Sequence, residues 1–143
     1  MFRHVLVAID GSPGAEKAAE FARRIALDTG ARLTVLVVTE PPSTFVFGPL
    51  DLVSPTASFP GPEALGLAQD MIDVLRKSMP GHNTHSRVEI GAPADKIVSV
   101  AKDLDVDLIV VGARGLGAVE RFLVGSTSEK VVRHADRPVT VVR

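Results

Sequence analysis

Between Asp107 and Arg133 the chain reads DLIVVGARGLGAVERFLVGSTSEKVVR, and few arrangements of backbone accommodate that order of residues. Leu108 to Val111 is a short aliphatic run, as a strand covered on both faces requires. It breaks at Gly112, passes Gly115 and Gly117, and reaches Gly125-Ser126-Thr127-Ser128, after which apolar residues take up helical spacing. A strand leading through glycines into a helix start gathers main-chain N–H groups and the positive end of a helix dipole in one place, which suits a phosphate. The bland alternative is a glycine-rich turn that binds nothing; the hydroxyl cluster at the helix start favours the anion site.

The rest of the chain repeats the strand-then-helix grammar. His4 to Ile9 reads as a buried strand that stops at Asp10-Gly11-Ser12-Pro13, where Ser12 suits an N-cap and Pro13 the first helical position. Ala15, Ala18, Ala19, Ala22, Ile25 and Ala26 trace one helical face, closed by Gly30. Leu33 to Val38 is a second buried strand. From Thr39 to Pro62 six prolines exclude regular structure over most of the length, with Phe45, Phe47 and Phe59 among them. A connection so long is either functional, as a lid near a ligand, or a loop that is mobile or meets a partner. Leu65, Ala68, Ile72, Leu75 and Met79 mark a second helix, and Ser86 to Ile90 alternates as an edge strand does. Pro93 opens a third helix with Ala94, Ile97, Val98, Ala101 and Leu104 inward. Ser126 to Ala135 is the fourth helix and Val139 to Val142 the last strand. The alternation predicts an α/β domain over 1–143 with a mostly parallel sheet.

Composition removes several classes of function. With 16 basic and 17 acidic residues there is no general attraction to nucleic acid or anionic membrane. Phe is the sole aromatic type, six copies, too few for a single-stranded nucleic-acid platform. Without cysteine, disulfides, thiol catalysis and cysteine-ligated metal are excluded. No apolar run is long enough to span a bilayer, and the first strand begins too early to leave room for a signal peptide. A cytoplasmic location is expected.

The spacing G-x2-G-x9-G-(S/T) at Gly112, Gly115, Gly125 and Ser126 resembles the nucleotide-binding signature of the universal stress protein family, in its ATP-binding branch. The opening HVLVAIDGS (His4 to Ser12) and the ending RPVTVVR (Arg137 to Arg143) extend the resemblance over the whole chain. It implies a Rossmann-like open sheet of five parallel strands in the order 3-2-1-4-5, helices on both faces, of the adenine nucleotide alpha hydrolase-like type. In that order Asp10 and Gly112 emerge at the topological switch point, where ligands of open α/β sheets bind. The resemblance also implies an adenine nucleotide, ATP or else ADP, AMP or cyclic AMP, with magnesium or manganese, and a homodimer through Pro138 to Val142.

The site implied in this way comprises Ala8, Ile9, Asp10, Val38, Val111, Gly112, Arg114, Gly115, Gly125, Ser126, Thr127 and Ser128. Asp10 is placed by the resemblance beside the ribose or a metal-bridged phosphate; otherwise it shapes an Asx-turn. Val38 matches the family position whose backbone meets adenine. Arg114 and Arg121 are candidates to neutralise phosphate, or are solvated loop arginines. Ser126-x-x-Glu129 fits a capping box, which would occupy the Ser126 hydroxyl. No Gly-Lys pair provides a Walker A lysine, and Glu120 stands where a dinucleotide motif needs its third glycine. His4, His82, His85 and His134 lie in separate segments without metal spacing. No catalytic residue is indicated, so the expectation is a nucleotide-binding sensor or regulator without efficient turnover. A slow ATP hydrolase or phosphotransferase, and a dimeric scaffold with a vestigial site, stay open.

Overall fold

A computed structural model describes residues 1–40, 61–114 and 124–143. Among these described residues nine elements alternate: β1 (His4–Ile9), α1 (Pro13–Thr29), β2 (Arg32–Thr39), α2 (Pro62–Ser78), β3 (Thr84–Ile90), α3 (Pro93–Asp103), β4 (Leu108–Gly112), α4 (Ser126–His134) and β5 (Val139–Val142). The strands form one parallel sheet in the order β3-β2-β1-β4-β5, the order the resemblance implies. The lid or partner-loop alternatives for the Thr39 to Pro62 connection fall mostly outside the described residues, as do Gly115, Gly117 and Arg121.

The aliphatic runs have a direct packing reason. Side chains alternate across a strand, and here both faces are covered. Val5, Val7, Leu33, Val35, Val37, Leu108 and Val110 face one core with the alanine stripe of α1 and with Ala68 and Leu75 of α2. Leu6, Leu36, Ile109 and Val111 face the other with Ile97, Val100 and Ala101 of α3 and Val131 of α4. A strand with a polar residue at every second position could not sit at β1 or β4.

Ends are set by local chemistry. The Ser12 hydroxyl accepts from the Ala15 N–H at 3.2 Å, Pro13 follows, and Gly30 closes α1 at φ 71°. The second helix forms where expected, with Leu65 half exposed because the inward stripe runs through Ala68, Ile72 and Leu75. Two expectations need correcting. On α3 the fully buried valine is Val100, three residues beyond Ile97, while Val98 lies at the border of the covered face. No capping box forms at Ser126: Gly125 is the N-cap of α4, so Ser126 is already inside the first turn.

Candidate functional site

The carboxyl ends of β1, β2 and β4 open onto a cavity of about 570 Å³, a volume typical of small-molecule sites. It lies at the reversal of strand order between β1 and β4. Ala8, Ile9 and Asp10 enter it from β1, Val38 and Glu40 from β2, and Val111, Gly112 and Arg114 from β4; Gly125 to Ser128 close it from α4. Every site residue named from the sequence lines this cavity except Gly115 and Arg121, which lie outside the described residues.

The floor is held by main-chain contacts. The Asp10 carboxylate accepts the Ser12 N–H at 2.9 Å, so the Asx-turn is real, and Asp10 still lines the cavity. The N–H of Gly125 donates to the Ala113 carbonyl, while the Ala113 N–H donates to Val142 at 2.7 Å. These bonds seat the start of α4 against the end of β4. The buried Ser128 hydroxyl donates to the Gly112 carbonyl at 2.5 Å. Its proton is therefore committed to the scaffold, and the Gly125 N–H likewise. The N–H groups of Ser126, Thr127 and Ser128 belong to the first turn of α4, where an α-helix supplies no partner of its own.

Sequence reasoning missed Gly14, Glu40, Pro93 and Ile97. A Cβ on Gly14 would stand 2.7 Å from the Arg114 carbonyl oxygen, and one on Gly112 would stand 2.7 Å from the Gly14 carbonyl carbon. The two glycines let the first turn of α1 touch the end of β4 backbone to backbone. No sequence spacing links positions so far apart. Pro93 and Ile97, at the start of α3, line the cavity together with Val38; the sequence places Pro93 as a helix start, but nothing local aims that start at the site.

Charge is divided along the cavity. Among the described lining residues Asp10 and Glu40 are acidic and Arg114 is basic. No three His, Asp or Glu side chains gather to hold a metal among the described residues. The histidines serve the scaffold. His4 is buried between the Thr34 hydroxyl (2.8 Å) and the Leu104 carbonyl (3.2 Å), and His82 donates to the Ala31 carbonyl at 2.7 Å.

The model for the universal stress protein family matches residues 1–143. The chain belongs to the universal stress protein family. A putative universal stress protein of Staphylococcus haemolyticus is 37% identical over 145 residues, covering 99% of this chain and 85% of the relative. The universal stress protein UspA from Lactobacillus plantarum superposes with a TM-score of 0.78 at 26% identity, covering 99% of this chain and 97% of that one. The universal stress protein from Archaeoglobus fulgidus in complex with dAMP gives 0.67 at 26% identity, with 99% and 98% covered. Gly112 and Gly125, the two described glycines of the signature, both line the cavity at the switch point of this sheet. Among its described residues no helix is long and apolar enough to cross a membrane.

Proposed function

We propose that this universal stress protein binds an adenine nucleotide, ATP in the first instance, in the cavity above β1 and β4, and acts as a sensor or regulator in a stress response. The observation that carries the reading is that the α4 N-terminus, without a side-chain cap, and the apolar Val38 and Ile97 line one cavity of about 570 Å³. The helix start and Arg114 offer donors and positive charge to phosphate. The apolar wall suits a base, and Asp10 lies between them on β1. The bound dAMP of the Archaeoglobus fulgidus relative supports an adenine ligand. The donor set fits magnesium only as the companion of the phosphates, since such ions commonly take one or two carboxylates and several waters; Asp10 is the carboxylate that would help to hold it. The described residues offer no lysine to the phosphate end and no paired acid and base, so turnover is expected to be absent or slow.

Calorimetric titration with ATP, ADP, AMP and cyclic AMP, with and without magnesium, tests the reading, together with identification of any nucleotide that purifies with the protein. Absence of binding by all four would leave the cavity vestigial.

A homodimer through Pro138 to Val142 is a second proposal, supported by the exposed edge of β5. The bonds from Ile109 N–H to the Pro138 carbonyl (2.9 Å) and from Ala113 N–H to the Val142 carbonyl (2.7 Å) set its register. With alternate residues facing β4, the backbone groups of Val139 and Val141 turn outwards. An unpaired edge of valines is satisfied when a second copy pairs with it about a two-fold axis.

A further inference from the structure

We infer that Glu40 reads the six-position of the purine and makes the cavity selective for a 6-amino over a 6-oxo base. The inference rests on the nucleotide reading above and adds a specificity-determining residue to it. Three observations bear on it. First, Glu40 is a lining residue at the β2 flank, while Arg114 and the start of α4 line the β4 flank. With β1 between them, these flanks are two strand spacings apart, roughly 10 Å. An anionic phosphate is drawn to the Arg114 side and repelled from the Glu40 side, so the ligand lies across β1 with its base towards β2.

Second, the main chain that carries Glu40 is anchored. The Gly91 N–H donates to the Thr39 carbonyl at 2.9 Å, holding the last residue of β2 against the end of β3. Val38 packs with Ile97 and Val111 on the α3 side of the sheet. Glu40 follows directly on the anchored Thr39 and lines the same cavity as Val38 and Ile97. The carboxylate therefore stands at the rim of the apolar slot formed by Val38, Pro93 and Ile97.

Third, the chemistry is one-sided. An ionised carboxylate only accepts hydrogen bonds. At the rim of a base slot it is matched by the exocyclic amine of adenine and opposed by the carbonyl oxygen of hypoxanthine at the same position. Glu40 is exposed at the cavity rim, and a ligand that lacks the donor there forfeits the bond and sets oxygen against oxygen.

The test compares ATP with ITP, and AMP with IMP, by calorimetry on the wild type, Glu40→Ala and Glu40→Gln. Each pair differs in the six-position group and in the proton on the neighbouring N1, and carries the same phosphates. General electrostatic effects of removing the carboxylate therefore cancel in the ratio of affinities. The wild type is expected to prefer the 6-amino ligand by about tenfold or more, the worth of a hydrogen bond to a charged group. Glu40→Ala should bring the ratio close to one. Glu40→Gln, whose amide can donate to a carbonyl oxygen, should move the ratio towards the 6-oxo ligand. Binding of both members of each pair with the same ratio in all three proteins would overturn the role of Glu40 and leave the nucleotide site standing. Failure of the wild type to bind any of the four would overturn the nucleotide reading and this inference together.

Discussion

Gly14 and Gly112 are the positions where a single added carbon is least tolerable. Each would set a Cβ 2.7 Å from main-chain atoms of the other's segment, closer than any real contact, and neither neighbour is a side chain that can swing away. Gly14→Ala is expected to cost about 1–3 kcal/mol, the usual penalty of overpacking. Urea denaturation would show it as a lower midpoint with an unchanged slope; an unaltered midpoint would mean that α1 retracts freely from β4. Gly125 is a different case. Its φ of −72° and ψ of 160° are open to any residue, so its value does not lie in an unusual backbone conformation. Gly125→Val should stay folded, with a modest loss of stability because valine is a poor N-cap residue, and should place a branched side chain at the mouth of the phosphate end. Loss of ATP binding by at least tenfold is expected from the blocked main-chain approach. Native affinity in the folded variant would refute the phosphate end as assigned here.

At the scale of elements, the starts of the helices matter most, because three of them border the cavity. α1 begins with Ser12 capping Ala15, and Ser12 is buried as well as cavity-lining. Ser12→Ala is expected to destabilise the protein by about 1 kcal/mol, the common worth of an N-cap hydroxyl, with a smaller effect on ligand affinity. α3 begins at Pro93 over the β2 flank, and α4 begins at Ser126 over the β4 flank. Neither uses a side-chain cap. Ser128, one of the site residues that the resemblance implies, lines the cavity while its hydroxyl ties α4 to the Gly112 carbonyl. The phosphate end is thereby made of main chain held in place by side chains. α1 shows the commonest surface device, Glu20 bonded to Arg23 and Arg24, which holds that carboxyl at about 2. The pair is solvent-exposed and contributes little to stability.

The whole molecule should respond to acid in two stages. Burial lowers the His4 pKa below its ordinary 6.5, with the Arg32 charge and His85 acting the same way and the Leu104 carbonyl and Asp107 opposing. The unfolded chain then binds the proton more readily, so stability falls as pH drops below about 6.5 and levels off below the folded value. Asp107 behaves as a carboxylate held down by the N–H groups of Arg3 and His4, at 2.7 and 2.8 Å. Its contribution is present above its ordinary 3.8 and is lost as pH falls through the lower folded value. Thermal melts from pH 8 to pH 3 should show both stages, and His4→Gln should remove the first. A wild-type Tm that is flat from pH 7 to pH 5 would contradict the account of His4. The assembly is tested at the other edge of the sheet. Val141→Pro removes an outward N–H without touching the bonds to β4, so it should weaken the proposed dimer while the monomer stays folded. Light scattering would decide it: a monomeric wild type, or an undiminished variant dimer, removes β5 as the interface.

The aliphatic runs at β1, β2 and β4, the alanine stripe of α1 and the stops at Ser12, Gly30 and Pro93 were legible because each depends on neighbours in sequence. Periodicity and capping are local, so they determined the elements and the α/β class. The strand order came through family resemblance, since nothing in a strand's own residues names its neighbour. Within the site, Asp10, Gly112 and the Gly125 to Ser128 run could be picked out because they end a strand or start a helix. Gly14 could not, because its reason is the backbone of Gly112, which only folding brings against it. Glu40 could not, because a lone acid after a strand acquires meaning only from the cavity it lines together with Pro93 and Ile97 of α3. Ser126 was misread as a cap because the S-x-x-E pattern leaves the helix start undetermined by one residue. The bonds from Ala113 to Val142 and from Gly125 to Ala113 place that start, and they join segments that the sequence keeps apart.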